Sequence, residues 1–299
     1  MWFRVGIHLG GRDHRWRRSY HGVMAGRDIM MWMRRIVGTL ALASALLLVG
    51  CSAVQRSLMY FPSHDLPRPV TVGVPEMEVV RLGTADGLEL VSWYAGAAEP
   101  EQPTIVYLHG NAGNIAGRAP KVRPFLDRGY GVLLVGYRGY GGNSGAPSEQ
   151  GLIADGHAAL DFLAARGVPP ERTVLLGESL GSAVAVRLAS ERVVGAVILE
   201  APFTSATDAG QRAYPLLPVK LLIMDRFDSL GRIDRVGAPL LIIHGEEDRV
   251  VPIAHGRRLL AAAQAPKQGV FLPGAGHNDL LRHGSAEVAL EFLGCLFGE

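Results

Sequence analysis

A serine, an aspartate and a histidine occur in this chain in a context that suits nucleophilic catalysis. Ser179 lies within Gly-Glu-Ser-Leu-Gly (177–181), directly after an apolar run, and Asp248 and His277 follow in that order. A serine hydroxyl becomes a good nucleophile only when a base removes its proton. A histidine can act as that base when a carboxylate fixes its tautomer and stabilises the imidazolium. We therefore predict Ser179 as nucleophile, His277 as general base and Asp248 as the orienting acid.

The two glycines around Ser179 indicate a tight turn between a strand and a helix. A turn of this kind holds the serine in a strained backbone conformation, and a Cβ at either flanking position would collide with the neighbouring strand or helix. Ser179 would thereby stand at the tip of the turn, open to a base on one side and a substrate on the other. The alternative interpretation is that Ser179 is an ordinary cap of the following helix.

The elements around these residues alternate between strands and helices. An opening antiparallel hairpin is predicted around Asp86-Gly87. The remaining elements are predicted as strands 104–109, 131–137, 172–177, 194–200, 239–244 and 268–272 and helices near 116–128, 149–166, 180–191, 253–263 and 279–297. This alternation predicts an α/β fold, a mostly parallel sheet with helices on both faces.

The predicted acid and base fall on loops that follow two of these strands. Asp248 comes after strand 239–244, and His277 comes after the final strand. Three other acids, Glu246, Glu247 and Asp279, lie near enough in sequence to compete with Asp248 for the same role.

Several short motifs besides Gly-Glu-Ser-Leu-Gly point to one protein family. They are His-Gly-Asn-Ala, Tyr-Arg-Gly-Tyr-Gly, Ala-Pro-Phe-Thr-Ser, His-Gly-Glu-Glu-Asp and Gly-His-Asn-Asp, and they extend from about residue 76 to the C-terminus. With these motifs the chain resembles the α/β-hydrolase superfamily, in particular the compact serine-hydrolase branch of the animal α/β-hydrolase-domain depalmitoylases and their bacterial and fungal relatives. The resemblance implies an eight-stranded sheet and a minimal lid, and it is far more specific for fold and catalytic machinery than for substrate.

The same resemblance implies an oxyanion hole. In this superfamily one amide comes from the loop after the His-Gly strand and another from the residue after the nucleophile. Here these would be the backbone N–H groups of Asn111 and Leu180. His109 and Gly110 are then expected to support the loop, with His109 structural rather than a base.

The glycine-rich loop after the strand at 131–137 leaves two interpretations open. Tyr137, Arg138 and Tyr140 could pack the loop or could contact substrate. The glycines here do not follow the G-x-G-x-x-G order, and the histidines show no metal-ligand spacing, so no cofactor and no metal are expected.

The N-terminal part of the chain resembles a bacterial lipoprotein signal. Arg34 and Arg35 precede an uncharged run at 36–49, which is short for a membrane-spanning helix, and Gly50-Cys51 follows. Cys51 is the expected lipidation site, which makes the lipid bilayer a partner; the alternative is an uncleaved anchor helix. Ser52 after the cysteine favours the periplasmic face of the outer membrane.

These signals predict the domain boundaries. Residues 1–29 are interpreted as a disordered extension from a mis-assigned upstream start, 30–50 as the signal peptide, 51–75 as a tether and 76–299 as the catalytic domain, with a short lid at 204–236. The apolar stretch 58–61 of the tether could lie on the membrane or pack on the domain.

Charge and cysteine content restrict the partners further. Residues 1–50 carry eight Arg and two acids, so the rest has 22 basic and 26 acidic residues, a net charge of −4. This balance argues against nucleic-acid binding. With Cys51 lipidated, Cys295 has no partner for a disulfide. A monomer is expected.

Together these observations predict a membrane-anchored serine hydrolase. Its substrate would be a small acyl ester or thioester, cleaved through an acyl-enzyme intermediate. Two alternatives remain: a small-peptide or amide hydrolase of the serine aminopeptidase type, and a catalytically silent hydrolase fold that serves as an envelope binding protein.

Overall fold

A twisted eight-stranded sheet is the frame of this protein. The computed structural model describes residues 30–39, 55–264 and 266–298, which belong to two units divided between Gly50 and Cys51. In the first unit residues 30–39 form a helix whose side chains are exposed. The predictions for residues 1–29, for the end of the signal peptide and for Cys51 lie outside the described residues.

The sheet begins with a hairpin and continues as parallel strands. Its strands are β1 (Glu78–Gly83), β2 (Glu89–Ala95), β3 (Thr104–Leu108), β4 (Gly131–Leu134), β5 (Thr173–Glu178), β6 (Ala196–Glu200), β7 (Leu240–Gly245) and β8 (Lys267–Leu272). Their spatial order is β8-β7-β6-β5-β3-β4-β2-β1. Strand β2 pairs antiparallel with β1 and β4, and all pairs from β4 to β8 are parallel.

Helices connect the parallel strands. They are α1 (Ala119–Leu126), α2 (Glu149–Ala165), α3 (Leu180–Ala189), α4 (Ala206–Ala213), α5 (Val219–Leu222), α6 (Ala254–Ala262) and α7 (Ser285–Phe297). Short 3₁₀ helices occur at Pro69–Val72, Ile115–Arg118, Pro170–Arg172, Ile233–Arg235 and Leu280–His283. The α/β architecture predicted from the sequence, with a mostly parallel sheet, is confirmed.

Two hydrophobic cores lie on the two faces of the sheet. Alternate residues of β3 separate between them, because successive side chains of a strand point to opposite faces. Val106 packs with residues of α2, α3 and α6 on one face, and Ile105 packs with residues of α1 and α7 on the other. All five residues of β3 are buried, as expected for a strand covered on both sides.

The last predicted helix is interrupted. Instead of one helix over 279–297, a 3₁₀ turn ends at His283 and α7 starts at Ser285. Gly284 between them has φ 88°, a left-handed conformation that glycine adopts without steric cost.

The segment predicted as a tether belongs to the domain from residue 55 onward. Residues 55–59 form a short helix, and Phe61–Pro62 pairs in parallel with Ala112–Gly113. Tyr60 and Val74 are buried. Within the stretch 58–61, Tyr60 packs into the domain, whereas the side chains of Leu58 and Phe61 are exposed. The domain therefore starts before the boundary predicted at Glu76.

The lid segment, residues 204–236, contains the two small helices α4 and α5 and ends in a 3₁₀ turn. It follows β6 and therefore starts at the carboxyl edge of the parallel strands. Across the described part of the chain, no helix has the length and hydropathy needed to cross a bilayer.

Candidate active site

Ser179 occupies a strained turn between β5 and α3. Its backbone has φ 50° and ψ −111°, and its N–H donates to the Glu200 carbonyl at 2.9 Å. A Cβ on Gly177 would lie 2.5 Å from the Gly181 carbonyl oxygen, and one on Gly181 would collide with the Leu108 carbonyl. The motif glycines are therefore required by close backbone approach.

The Ser179 side chain does not cap α3. The residue stands at the cap position, but its hydroxyl makes no capping hydrogen bond. The cap interpretation is therefore wrong, and the hydroxyl points to another partner.

That partner is His277. The Nε2 atom of His277 lies 3.0 Å from Ser179 Oγ, and its Nδ1 lies 2.7 Å from Asp248 Oδ2. The three predicted residues thus form one hydrogen-bonded chain, although β5, β7 and β8 each lead into a different one and Ser179 and His277 are 98 positions apart in sequence. In this arrangement a histidine can take the serine proton and a carboxylate can stabilise the resulting imidazolium.

Asp248 is held as a carboxylate by several donors. Its Oδ1 accepts the backbone N–H groups of Val250 at 2.8 Å and Val251 at 2.7 Å. Its Oδ2 also lies 3.3 Å from His244 Nε2. Burial acts to raise the pKa of Asp248, but the hydrogen bonds from His244, His277 and Val251 outweigh it and keep this pKa well below its usual value.

The three competing acids do not contact His277. Glu246 and Glu247 are exposed. Asp279 Oδ1 accepts the Gly276 N–H at 2.7 Å and so caps the loop that carries His277. Of the four acids considered from the sequence, Asp248 is the one that contacts the histidine.

The loop after β3 passes directly beside the serine. A Cβ built on Gly110 would lie 3.6 Å from the Cβ of Ser179. Leu180 is the first residue of α3, where a backbone N–H has no partner within the helix. The loop and the helix start therefore meet at the serine, which is the arrangement that two oxyanion-binding amides require.

The N-terminal segment braces this loop. The Asn111 carbonyl accepts the Phe61 N–H at 2.9 Å and the Tyr140 hydroxyl at 2.7 Å. The Asn111 side-chain amide donates to the Met59 carbonyl at 2.8 Å. Sequence reasoning did not anticipate these contacts, because nothing in residues 55–63 marks them as neighbours of the loop.

His109 is a structural residue of the same loop. It is fully buried, its Nδ1 lies 2.7 Å from the Gly110 carbonyl oxygen, and its ring packs 4.3 Å from that of Tyr137. Since the carbonyl accepts, Nδ1 carries the proton, and Nε2 has no hydrogen-bond partner among the described residues. Burial, aided by the charge of Arg118, lowers the pKa of His109 to about 3, so the ring is neutral at neutral pH.

Tyr137, Arg138 and Tyr140 are packing residues. All three are buried, and Arg138 pairs with Asp155 at 2.7 Å and with Asp86 at 2.7 Å. The Tyr140 hydroxyl donates a hydrogen bond to the Asn111 carbonyl. Of the two interpretations of this loop, packing is the one that the contacts support.

A largely buried cluster of charges adjoins the serine and was not predicted. Glu178, the residue before Ser179, contacts Arg118 at 3.0 Å and Lys121 at 3.2 Å, and Lys121 also contacts Glu200 at 2.8 Å. Burial acts to raise the pKa of Glu178, but Lys121 and Arg118 hold it at about 2. Two acids that end adjacent buried strands were the only available signal, because acids are almost never buried unpaired.

Arg118 links this cluster to the loop beside the serine. Besides Glu178, it donates through Nη1 to the Ala112 carbonyl at 2.9 Å. The turn before the nucleophile and the loop after β3 are thus joined by one side chain. No group of three or more potential metal-ligating side chains occurs within residues 30–39, 55–264 and 266–298.

Comparisons with known proteins identify the family of this chain. Residues 103–231 match the alpha/beta hydrolase fold family. An uncharacterized protein of Mycobacterium tuberculosis is 42% identical over 246 residues, which cover 82% of this chain and 88% of that protein. Alpha/beta hydrolase domain-containing protein 17B of Xenopus laevis is 34% identical over 204 residues, or 67% of this chain and 69% of that protein.

Solved structures share the fold. An esterase of Pyrococcus furiosus superposes with a TM-score of 0.68 over 80% of this chain and 100% of its own, at 20% identity. A puromycin-hydrolyzing peptidase of Mycobacterium tuberculosis gives 0.60 over 78% of this chain and 41% of its own, at 21% identity. The sheet order, the family match and these relatives together show that the chain belongs to the α/β-hydrolase superfamily.

Proposed function

We propose that this protein is a serine hydrolase that cleaves small carboxylic esters or thioesters through an acyl-enzyme intermediate. The observation that carries the proposal is the hydrogen-bonded chain from Ser179 through His277 to Asp248, with separations of 3.0 and 2.7 Å. A silent binding module has no need for these three side chains in contact at the end of a strained turn.

In the first half of the reaction, Ser179 Oγ attacks the acyl carbonyl carbon while His277 Nε2 takes its proton. The carbonyl oxygen becomes an oxyanion, which the backbone N–H groups of Asn111 and Leu180 stabilise; each such donor is worth roughly 3–4 kcal/mol in comparable sites. His277 then gives the proton to the leaving alkoxide or thiolate, and the acyl group stays on Ser179.

The second half repeats these steps with water. His277 removes a proton from water as the water oxygen attacks the acyl carbon, and the Ser179–acyl bond breaks as the proton returns to Oγ. Asp248 remains ionised throughout, which suits its low pKa and its two backbone donors.

Esters are preferred to peptides because of the short lid. A peptidase needs additional chain to hold a peptide across the site, whereas the lid segment offers only α4, α5 and a 3₁₀ turn. Hydrolysis of small amides is the second candidate activity, because the solved structures that share this fold include both an esterase and a peptidase.

The proposed setting is the periplasmic face of the outer membrane. Its support is the uncharged run 36–49 that ends before Cys51 and Ser52. Several acyl chains on Cys51, at about 0.8 kcal/mol per buried methylene, give stable anchoring.

A graded series of acyl esters and thioesters tests the reaction class. In plain buffer we expect kcat/KM to rise over short chains, by roughly 0.8 kcal/mol per buried methylene, and then to flatten where the acyl chain extends past the short lid into water. With lipid vesicles the rise should extend to longer chains, because the bilayer holds the remainder. Failure to hydrolyse any member of the series contradicts the proposed reaction class. A steady rise of kcat/KM to long chains in buffer alone contradicts the proposed role of the short lid.

A further inference from the structure

The lid segment exposes a set of large apolar side chains that no described residue of the domain covers. Leu216 is 96% exposed and Leu221 is 85% exposed. We define the lid patch by its exposed apolar members, which are Tyr214, Leu216, Leu217, Leu221, Leu222 and Met224. Single exposed apolar residues are ordinary, but a contiguous group within eleven residues of chain marks an interaction surface.

The chain enters the domain at the edge of this patch. The Gln55 side chain accepts the Met224 N–H at 2.6 Å, and the Tyr60 hydroxyl donates to Asp225 at 3.0 Å. Arg56 lies 3.8 Å from Asp225. The first described residues of the domain therefore lie against the last residues of the lid patch.

This entry point sets how far the patch can be from a membrane anchor. Cys51 precedes Gln55 by four residues, so a fully extended chain reaches roughly 14 Å between them. If Cys51 is acylated, as proposed above, the lipid headgroups lie within this reach of Gln55.

Charge around the lid patch also suits a lipid surface. Residues 212–226 contain three basic residues, Arg212, Lys220 and Arg226, and one acid, Asp225. All three basic residues are exposed, whereas Asp225 is buried and bonded to Tyr60. Apolar side chains among exposed basic ones are the composition of interfacial membrane-binding segments.

We propose that the lid patch docks into the headgroup region of an anionic bilayer and so orients the carboxyl edge of the sheet toward the membrane. The inference rests on the N-terminal anchor proposed above, which would hold the protein at the surface while the patch fixes which side faces it. It does not rest on the proposed reaction, because its test measures position and not hydrolysis.

Fluorescence quenching by brominated lipids tests the orientation. The full chain carrying Leu216→Trp is reconstituted on phosphatidylglycerol-containing vesicles, with and without brominated acyl chains, and the signal of the parent chain is subtracted because four native tryptophans are present. The matched control is Val193→Trp, at a residue 72% exposed that precedes β6 and so lies at the opposite edge of the parallel strands.

We expect brominated vesicles to remove most of the fluorescence added at position 216 and little of that added at 193. Introducing Leu221→Asp into the Leu216→Trp chain should abolish the difference, because a carboxylate in an apolar interface is costly. Equal quenching at both positions, or at neither in a vesicle-bound chain, overturns the proposal. So does a concentration-dependent blue shift of Leu216→Trp without vesicles, which would show that a second copy covers the patch.

Discussion

The turn that carries Ser179 and the loop that carries Asn111 meet at the candidate site, but different forces hold them. The turn is fixed by backbone sterics: Gly177 and Gly181 sit where any side chain collides with backbone atoms. The loop is fixed by several separate hydrogen bonds. Phe61 and Tyr140 donate to the Asn111 carbonyl, and Arg118 donates to the Ala112 carbonyl. Steric contacts tolerate no intrusion, whereas single hydrogen bonds contribute about 1 kcal/mol each.

This contrast implies two patterns of sensitivity. A small change in the turn should have an all-or-none effect, because no neighbouring atom can move out of the way. A small change in the loop should have a graded effect, because the remaining hydrogen bonds still hold it.

Gly181→Ala is expected to have the largest effect. The added Cβ meets the Leu108 carbonyl within β3, so the turn cannot close on the strand. We expect either loss of the folded protein or a fall in esterase activity of at least about 1,000-fold, as when catalytic geometry is lost. Activity against a short ester, with thermal unfolding, measures it.

Gly117→Ala is the matched control for that variant. Gly117 lies in the 3₁₀ turn after the Asn111 loop, and a Cβ there meets no atom within 4 Å. It should keep both activity and stability. A Gly181→Ala protein with near-normal activity would contradict the steric account of the turn.

The effect of His109 on stability at acidic pH is expected to be smaller than the effect of Gly181→Ala. Its pKa is about 3 in the folded protein against about 6.5 when unfolded, so the unfolded state binds more protons as pH falls below 6.5. Stability is therefore lost as pH falls, by about 2 kcal/mol from this residue between pH 6.5 and pH 5. Denaturant unfolding of the parent and of His109→Asn over this range measures the difference.

The His109→Asn variant should show a shallower pH slope even if its stability at pH 7 is lower. The comparison ends at pH 5 because Glu178, whose pKa is also depressed, adds its own loss of stability at more acidic pH. Identical slopes in the two proteins would mean that the ring is not held neutral by burial.

Asn111→Ala is expected to have the smallest effect. It removes the side-chain hydrogen bond to Met59 but leaves the backbone N–H in place. We expect transition-state stabilisation to fall by about 1 kcal/mol, which is roughly fivefold in kcat with KM nearly unchanged, because the loop is held less firmly. Steady-state kinetics on a short ester measures it. A fall in kcat beyond about 100-fold would show that the loop, like the turn, responds in an all-or-none way.

These two regions also differ in how well the sequence predicts them. Glycine spacing after an apolar strand is visible in the sequence because the steric requirement of the turn is local, and the order of Ser179, Asp248 and His277 is visible through the family resemblance. The eight-stranded sheet could be predicted for the same reason, since each strand and helix shows its own pattern.

The N-terminal segment could not be predicted in the same way. Its contacts with Asn111 and Met224 join residues more than fifty positions apart, and each pairs a side-chain amide with a backbone group that every residue carries. The pairing of Lys121 with both Glu178 and Glu200 has the same character, because burial and partner choice depend on the folded arrangement.

Covalent labelling of the serine tests the central claim most directly. The full chain is treated with a fluorophosphonate probe, and the adduct is counted and located by mass spectrometry of the intact and digested protein. The account predicts one adduct per chain, on Ser179, and none in a folded Ser179→Ala variant. A folded parent chain that takes no probe, or an adduct that persists in Ser179→Ala, would contradict it.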